Sequence, residues 1–296
     1  MSRPNLFLVG AMKSGTTTLH DLLATHPQIV MSDPKEPCYF VEPEQLRTHW
    51  PEMWRRGYWQ DERAYLALFP DRPGALYFGE SSTDYSKAPR LDGVVDRMAR
   101  YSPQARIVYL MRDPVQRSIS HYWHMVELRG ETRAPLQAIQ ADPHYTEVSD
   151  YARQLRPYLD RFGPGQVYTL TFETLRADPA AALRALCAWL GVDAQFEPTD
   201  LRRASNVTPA TVRQQRAGAG ALVGLRHSAL WDAVGPLVPA AVRRLGVALV
   251  ERPVAPKTVD LGAVEAHLRR LQQPQARALS ALLGRDFPEW KTLYPG

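Results

Sequence analysis

The chain has 296 residues, which is long for one average domain and short for two large ones, so a single α/β domain with elaborations is expected. Hydrophobic residues make up 45% and charged residues 23%, values that are typical of a soluble globular protein and exclude a disordered one. The net charge of +5 suits anionic ligands. The basic residues are scattered rather than clustered, however, which argues against a nucleic-acid-binding protein.

Cysteine usage and hydropathy indicate the compartment. Cys38 and Cys187 form neither a C-x-x-C pair nor a disulfide framework, so a reducing compartment is expected. The N-terminal apolar residues lead straight into a glycine loop rather than into a signal-peptide cleavage site. The apolar stretch over 217–250 is interrupted by charged residues, which argues against a membrane span. We therefore predict a cytoplasmic protein, and the abundance of Ala, Arg and Pro indicates a bacterial source with a GC-rich genome.

The first predicted elements are a strand, a glycine loop and a helix. Residues 5–9, NLFLV, form a short apolar run. Leu19, Leu22 and Leu23 follow at helical spacing, and Pro27 ends the pattern. The loop that joins these two elements is therefore placed between a buried strand and a helix N-terminus.

The sequence of that loop resembles that of a phosphate-binding loop with one position changed. A Walker A loop reads G-x-x-x-x-G-K-[ST]. Gly10 and Gly15 keep the glycine spacing and Thr16 and Thr17 follow, but the expected lysine is missing and Lys13 lies inside the loop instead. Such a turn directs backbone N–H groups and the positive end of the helix dipole to one point, which suits a phosphate. The alternative is a tight glycine turn with incidental threonines.

Further apolar runs and helical patterns alternate along the chain. We predict strands at 29–31, in LYFGESS, at 106–111 and in QVYTLTFE, and helices at 91–101, after Asp113, at about 150–161 and in DPAAALRALCAWLGV. The alternation predicts an α/β fold with a central, mainly parallel sheet flanked by helices. Within one domain, 1–190 form the nucleotide-binding core, 41–76 an aromatic-rich insertion and 191–296 a mostly helical part.

A second strand-to-helix junction carries R-D-P-x-x-R-x-x-S. Arg112 lies at the C-terminal end of a buried strand, where open α/β sheets bind ligands, and its guanidinium can bind a phosphate through two parallel hydrogen bonds. Ser120 lies about two helical turns past Asp113, on roughly the same face as Arg117 and Asp113. The alternative is a local ion pair between Arg112 and Asp113 beside a capped helix, an interpretation that we prefer for Asp113, since Pro114 follows it at the first helical position.

These two junctions together carry a family resemblance. K-S-G-T-T near the N-terminus and R-D-P-x-x-R-x-x-S-x-Y after a central strand resemble the sulfotransferases that use 3′-phosphoadenosine 5′-phosphosulfate (PAPS). The chain is most similar to the branch with heparan sulfate and bacterial carbohydrate or natural-product sulfotransferases. Supporting matches are K-E-P-C-Y-F at 35–40, G-E-S-S-T-D-Y at 79–85 and F-E-T-L-R-A-D-P at 172–179. The resemblance covers residues 5 to about 190.

The resemblance implies a P-loop-like sulfotransferase fold and a reaction. In the implied reaction, the sulfuryl group of PAPS passes in line to a hydroxyl of a carbohydrate or secondary-metabolite acceptor, and the bisphosphate nucleotide PAP is the leaving group. The reaction requires no metal. The first loop would hold the 5′-phosphosulfate, and Arg112 and Ser120 would hold the 3′-phosphate. Lys13 would also stabilise charge on the bridging oxygen. The residues that the resemblance assigns to the 5′-phosphosulfate are Lys13, Ser14, Gly15, Thr16 and Thr17.

The resemblance also implies a general base. A glutamate before an aromatic pair serves in the heparan branch, and the matching residue is Glu36. Two departures leave alternatives open: Cys38 replaces the family's histidine, and Ser81 replaces its lysine. Glu80 therefore remains a second candidate carboxylate. The fallback bases are His20, His121 and His124.

The remaining expectations concern the C-terminal part and the partners. RQQRAGAG at 213–220 is the candidate basic segment that closes over the nucleotide, with Arg213 or Arg216 reaching the 3′-phosphate. Residues 50–69 and the helices after 220 are the candidate acceptor pocket. A homodimer is the common default, and no Cys/His cluster has the spacing of zinc ligands. A P-loop kinase or nucleoside triphosphatase, or a non-catalytic nucleotide-binding protein, remains the alternative.

Overall fold

The computed structural model of the protein describes residues 3–198, 211–215 and 251–295. Contacts divide the chain into two compact units. The first comprises Met1–Ser118, His144–Asn206 and Leu268–Gly296, and the second comprises Ile119–Pro143 and Val207–His267. Arg216 and the apolar stretch at 217–250 lie outside the described residues.

The strands alternate with helices, as the sequence predicts. The described strands are β1 (Leu6–Gly10), β2 (Ile29–Met31), β3 (Tyr77–Ser81), β4 (Arg106–Met111), β5 (Val167–Thr171), β6 (Val212–Gln215) and β7 (Glu251–Val254). The described α-helices are α1 (Thr16–Ala24), α2 (Pro43–His49), α3 (Pro51–Arg56), α4 (Glu62–Leu66), α5 (Val94–Tyr101), α6 (Pro114–Arg129), α7 (Pro135–Ala141), α8 (His144–Glu147), α9 (Tyr151–Phe162), α10 (Phe172–Ala177), α11 (Pro179–Leu190) and α12 (Gly262–Leu283).

The first unit is built on a five-stranded sheet with the order β2-β3-β1-β4-β5. Each neighbouring pair is parallel, and the register places Leu8 of β1 beside Ser81 of β3 and Val108 of β4. β1 and most of β4 are buried, as their continuous apolar sequences predict for parallel strands covered on both faces. The predicted α/β fold with a central parallel sheet is confirmed.

Helices cover both faces of this sheet. On one face, Leu6 and Leu8 pack in a cluster with Leu19 of α1 and Leu183 of α11. Each fully buried leucine contributes about 1.5–3 kcal/mol. On the other face, the ring of Phe7 meets that of Phe40 at 5.4 Å, edge to face. Because both faces are covered, the strand ends are the part of the sheet that remains for ligands.

Residues 41–76, the predicted aromatic-rich insertion, contain several short helices. Its aromatic side chains are divided between packing and surface. Tyr65 is fully buried, whereas Trp54 and Trp59 are half-buried and stack on each other with ring centroids 5.8 Å apart.

In the second unit, β6 and β7 form an antiparallel pair. Gln214 of β6 is buried, and its amide donates to the Tyr122 hydroxyl and to the Glu131 carbonyl, both at 3.4 Å. Residues 213–215 of the predicted basic segment at 213–220 therefore lie in a strand. None of the helices in the described ranges is both long and apolar enough to cross a membrane.

Candidate active site

The carboxyl ends of the parallel strands bring the predicted site residues of the first unit to one edge of the sheet. β1 is the central strand, and the chain continues to β2 and β3 on one side and to β4 and β5 on the other. The order in which the chain adds strands therefore reverses between β1 and β4, which makes this a topological switch point. Open α/β sheets bind ligands in the crevice at such a point.

The loop after β1 has the backbone of a phosphate cradle. Gly15 is the N-cap of α1 with φ 92°, a left-handed conformation that favours glycine. A Cβ atom there would lie 2.8 Å from the Phe172 ring, so the position also requires the absence of a side chain. Thr16 and Thr17 begin α1, whose first turn contains no acidic residue. The N-terminus of this helix thus keeps its positive end directed at the loop.

Lys13 lies at the tip of that loop in a strained conformation. Its φ of 66° places it in the left-handed region, which costs a non-glycine residue roughly 1–2 kcal/mol. Within the described ranges, the other non-glycine residues with a positive φ are Glu36 and Cys38. Strain of this kind clusters at functional sites, and here it coincides with both predicted catalytic residues.

Arg112 joins the two predicted phosphate sites. Its guanidinium Nη1 donates to the Lys13 carbonyl at 3.2 Å, a contact between residues 99 positions apart in the chain. The guanidinium also lies over the Phe172 ring, 5.1 Å from its centroid. Burial lowers the pKa of Arg112, while the neighbouring Glu173 acts in the opposite direction. The two basic side chains that the sequence selects for phosphate binding thus share one edge of the sheet.

Asp113 has a structural role. Its Oδ1 accepts from the backbone N–H groups of Val115 at 3.0 Å and Gln116 at 3.2 Å, so it caps α6 as predicted. Its Oδ2 accepts from the backbone N–H groups of Thr292 at 2.7 Å and Leu293 at 3.1 Å. Both oxygens are therefore engaged by backbone groups, and Arg112 bonds to the Lys13 carbonyl instead of forming the predicted local ion pair.

The other members of the second motif are separated. Arg117 is fully buried; its guanidinium donates to Ser149 Oγ at 2.5 Å and to the Tyr145 carbonyl, and burial lowers its pKa to about 10. These bonds give Arg117 a role in packing. Ser120 lies on α6 and belongs to the second unit, where it is buried. Its contact with the 3′-phosphate stays a prediction, as does that of Arg216, which lies outside the described residues.

Glu36 lies in the loop after β2, at the carboxyl end of β3. Its backbone N–H donates to the Ser81 carbonyl at 3.0 Å, and its Oε2 accepts from the backbone N–H of Thr83 at 3.0 Å. Lys35 Nζ contacts its Oε1 at 2.5 Å. The carboxylate is only 20% exposed and is fixed on both oxygens. Since β3 pairs with β1, Glu36 and the Lys13 loop lie at the carboxyl ends of neighbouring strands.

The charges around Glu36 keep it ionised. Burial acts to raise its pKa, but Lys35, Lys87 and the Thr83 N–H outweigh that effect and lower the pKa below its usual value. A carboxylate that is ionised at neutral pH is in the form that accepts a proton. The geometry therefore suits Glu36 as a general base.

The alternative bases of the first unit are in less suitable states. Glu80 is fully buried, and burial raises its pKa to about 8 despite hydrogen bonds from Tyr85 and Ser82, so it is largely protonated at neutral pH. His20 is buried with Nδ1 2.8 Å from Ser81 Oγ, and burial together with Lys35 lowers its pKa to about 4. The remaining fallback bases, His121 and His124, belong to the second unit.

Sequence reasoning missed the groups that hold Glu36. Residues 80–87, ESSTDYSK, are polar in composition and buried throughout. Within them Thr83 binds the Glu36 carboxylate, and Asp84 forms a buried ion pair with Lys87. The signal was present, because a long polar run directly after an apolar strand is unusual unless its side chains are used. In the sequence alone, residues 79–85 are recognisable only as a family match.

The residues present fit an anionic nucleotide with two separate phosphate groups. A helix N-terminus, a lysine at the loop tip and a guanidinium from the next strand all meet at the β1–β4 edge. In the part of the chain that the structure describes, no group of three or more His, Cys, Asp or Glu side chains is placed to hold a metal ion.

Comparison with known proteins identifies the family. The model of the Sulfotransferase family matches residues 4–198, which is more than half of the chain. The chain belongs to the sulfotransferase family. The predicted family and enzyme class are thereby confirmed.

Similar proteins agree with this membership. A sulfotransferase from Alicyclobacillus acidocaldarius has a structure similar to this one, with a TM-score of 0.71, 27% identity, and coverage of 98% of this chain and 100% of that chain. The chain is 26% identical over 213 residues to the human bifunctional heparan sulfate N-deacetylase/N-sulfotransferase 2, covering 64% of this chain and 22% of that protein. It is 26% identical over 201 residues to mouse heparan sulfate glucosamine 3-O-sulfotransferase 3B1, with 64% and 46% coverage. The chain thus spans less than half the length of these two relatives.

Proposed function

We propose that this protein transfers the sulfuryl group of PAPS to a hydroxyl of a carbohydrate or secondary-metabolite acceptor. The observation that carries the proposal is the contact between Arg112 and the Lys13 loop, which joins two anion-binding groups at the end of neighbouring strands. PAPS carries a phosphate on the 3′ position of its ribose and a phosphosulfate on the 5′ position. Such a donor needs a separate binding site for each group. The heparan sulfate enzymes among the relatives support a sugar acceptor.

The residues of the first loop would bind the 5′-phosphosulfate. Backbone N–H groups at Gly15 and the first turn of α1 suit the equatorial oxygens, and the Thr16 and Thr17 hydroxyls add donors. Lys13 supplies a full positive charge at the loop tip. We assign it to the oxygen that bridges sulfur and phosphorus, where negative charge grows as that bond breaks.

The residues of the second motif would bind the 3′-phosphate. The Arg112 guanidinium lies against Phe172 and keeps donors besides the one on the Lys13 carbonyl. The family resemblance assigns Ser120 and Arg216 to the same phosphate. A guanidinium binds a phosphate through paired hydrogen bonds, so Arg112 would select the bisphosphate nucleotide over one that lacks the 3′-phosphate.

Glu36 would act as the general base. It takes the proton of the acceptor hydroxyl while the new oxygen–sulfur bond forms and the bond from sulfur to the bridging oxygen breaks. The products are a sulfate ester, PAP and a protonated Glu36, which releases its proton to solvent. No metal enters these steps.

The residues at the strand ends favour this reaction over phosphoryl transfer. A kinase or nucleoside triphosphatase needs a carboxylate that holds magnesium near the loop. The carboxylate in that position, Asp113, is bonded through both oxygens to backbone N–H groups. The lysine that should follow Gly15 is replaced by Thr16.

The proposal is tested by incubating the protein with PAPS and a panel of desulfated oligosaccharides and hydroxylated aromatic compounds, and by measuring PAP by chromatography. We expect PAP to accumulate in step with a product that is heavier by one sulfuryl group. Parallel samples with chelator should react equally fast. Binding of ATP with magnesium in preference to PAP would overturn the proposal, and tight PAP binding without turnover on any acceptor would favour the non-catalytic alternative.

Location and assembly belong to the same proposal. The predicted reducing compartment supports a cytoplasmic enzyme that meets a small-molecule acceptor. A homodimer is the default assembly for such enzymes. Sedimentation of the purified protein measures this directly.

A further inference from the structure

The loop that carries Glu36 has an unfavourable backbone that must be held by its surroundings. Glu36 has φ 62° and Cys38 has φ 55°, so two residues of one short loop are left-handed without being glycine. Each costs roughly 1–2 kcal/mol relative to an ordinary conformation. Such a loop keeps its shape only if neighbouring groups fix it.

The segment that follows β3 supplies those groups, one after another. The Ser81 carbonyl and the Thr83 N–H bind the backbone and the carboxylate of Glu36. The Ser82 hydroxyl accepts from the Cys38 N–H at 3.1 Å. The Cys38 thiol in turn donates to Asp84 Oδ2 at 3.4 Å.

Asp84 is itself held by a charge from deeper in the first unit. Its Oδ1 accepts from Lys87 Nζ, and the two side chains are only 3% and 2% exposed. The Lys87 ammonium also lies 4.0 Å from the centroid of the Trp50 ring, which covers it from the side of the insertion. The two oxygens of Asp84 are thus divided between Lys87 and Cys38.

A buried ion pair of this kind is a costly way to stabilise a fold. Desolvation of the two charges offsets much of their attraction, and apolar residues of similar size often serve equally well. Its placement suggests another use, because the contacts run without a gap from Lys87 through Asp84 to Cys38, which is two residues after Glu36.

We infer that the buried Asp84–Lys87 pair, acting through the Cys38 thiol, is a positioning element that holds the Glu36 loop in its left-handed conformation. The inference rests on the proposed role of Glu36. Asp84, Lys87 and Cys38 touch neither acceptor nor nucleotide in this scheme; they act by orienting the base, and Lys87 also helps to keep it ionised.

The test removes the connection without disturbing the pair. Cys38→Ala takes away the thiol donor, and Cys38→Ser keeps a donor in the same place. Cys187→Ala removes another buried thiol, from the α11 core, and is the matched control. All three variants are compared with the wild-type protein.

We expect Cys38→Ala to lower kcat on the order of tenfold to a hundredfold, since a shift of about 1 Å in a catalytic group costs that much. The affinity for PAP should stay unchanged. Cys38→Ser should recover most of the rate, and Cys187→Ala should retain it. The amide protons of Glu36 and Cys38 should exchange with solvent about tenfold faster in Cys38→Ala, a readout that requires no acceptor.

A second variant, Asp84→Leu with Lys87→Met, replaces the whole pair by apolar residues and leaves no unpaired buried charge. It should lower kcat and speed the same amide exchange while PAP binding persists. In a Glu36→Gln background, both Cys38→Ala and the double replacement should have less than about a twofold further effect, because they act through Glu36.

The inference is overturned if folded Cys38→Ala or the folded double variant keeps wild-type kcat and amide exchange, or if either lowers the residual rate of Glu36→Gln as strongly as that of the wild type. Failure of the proposed function gives a different result. In that case Glu36→Gln itself keeps the full rate, or the wild-type protein transfers no sulfuryl group.

Discussion

The phosphate loop at 10–15 and the base loop at 35–38 both contain residues in a strained backbone conformation, but different contacts hold the two loops. Each holds a predicted catalytic residue, Lys13 or Glu36, in a left-handed conformation. The phosphate loop is held by its own glycine and by the backbone that enters α1, with added bonds from the Ala11 N–H to the Leu110 carbonyl at 2.6 Å and from the Arg112 guanidinium. The base loop is held by side chains and backbone from 81–84, more than forty residues further along the chain.

The comparison teaches which kind of site a sequence motif can specify. A loop that depends on glycine spacing and a helix N-terminus is encoded within a few residues. A loop that depends on a distant polar segment is encoded only through the fold. We therefore expect the phosphate loop to tolerate changes elsewhere, whereas the base loop should respond to changes in 81–87.

The largest expected effect is on the phosphate loop. Lys13→Ala removes the charge assigned to the bridging oxygen, and loss of such a donor typically costs about 3 kcal/mol, or on the order of 10²-fold in kcat. Steady-state PAP formation measures it. Lys291→Ala, which changes an exposed lysine of the same unit, is the control and should react normally. A full rate in Lys13→Ala would remove the lysine from the mechanism.

The second effect separates the two loops. Glu36→Gln should lower kcat on the order of 10²-fold, the usual contribution of a general base, because the amide does not take the acceptor proton. Affinity for PAP, measured by calorimetry, should change less than about threefold, since the base loop does not bind the nucleotide in our scheme. Glu44→Gln, at an exposed site on α2, is the matched control. A loss of PAP affinity equal to the loss of rate would contradict the separation.

A third effect concerns nucleotide selection. Arg112→Ala should weaken PAP binding by roughly 1.5–3 kcal/mol, the range for hydrogen bonds to charged groups. Binding of adenosine 5′-phosphosulfate, which lacks the 3′-phosphate, should weaken much less. The preference for the bisphosphate is the quantity to compare, with Arg176→Ala on the exposed side of α10 as the control. Equal weakening for both nucleotides would assign Arg112 to the loop rather than to the 3′-phosphate.

The last effect is on the free energy of unfolding rather than on a rate or an affinity, and it concerns the segment beneath the base loop. The pKa of Glu80 is about 8 in the folded protein and near 4.5 in an unfolded chain. Between these values the folded state holds a proton that the unfolded state has released, so the free energy of unfolding falls as pH rises from about 4.5 to 8. Glu80→Gln removes this contribution. Urea unfolding at pH 5 and pH 8 should show a smaller difference for the variant, and an unchanged difference would contradict burial of a neutral Glu80.

The sequence predicts much of this fold because its strongest signals are local. RIVYLM and β4 coincide, and the Leu19 and Leu23 pattern predicts α1 correctly. Lys13, Gly15 and Arg112 likewise lie at the strand-to-helix junctions where the sequence places them, and their roles stay predictions. Asp84 and Lys87 could not be assigned in this way, since burial of their charges depends on packing against Trp50 and Cys38.

The identity of the base shows the limit in another form. Sequence alone leaves Glu36, Glu80 and His20 as alternatives, because a carboxylate and an imidazole differ in use only through their surroundings. Burial changes the protonation of Glu80 and His20, while Lys35 keeps Glu36 ionised. Lys35 is adjacent to Glu36 in the chain, but the burial of Glu80 and His20 is not evident from their positions in the sequence.

The close approach of Gly15 to Phe172 limits how this protein can change over time. A Cβ atom at Gly15 would meet the ring at 2.8 Å, and a smaller residue at 172 would relieve that overlap. It would not relieve the backbone, because φ 92° remains unfavourable for every L-residue with a side chain. No single compensating substitution therefore restores the loop once Gly15 is lost. The same ring lies beneath the Arg112 guanidinium, so a substitution at residue 172 would affect both of the predicted phosphate-binding groups at once.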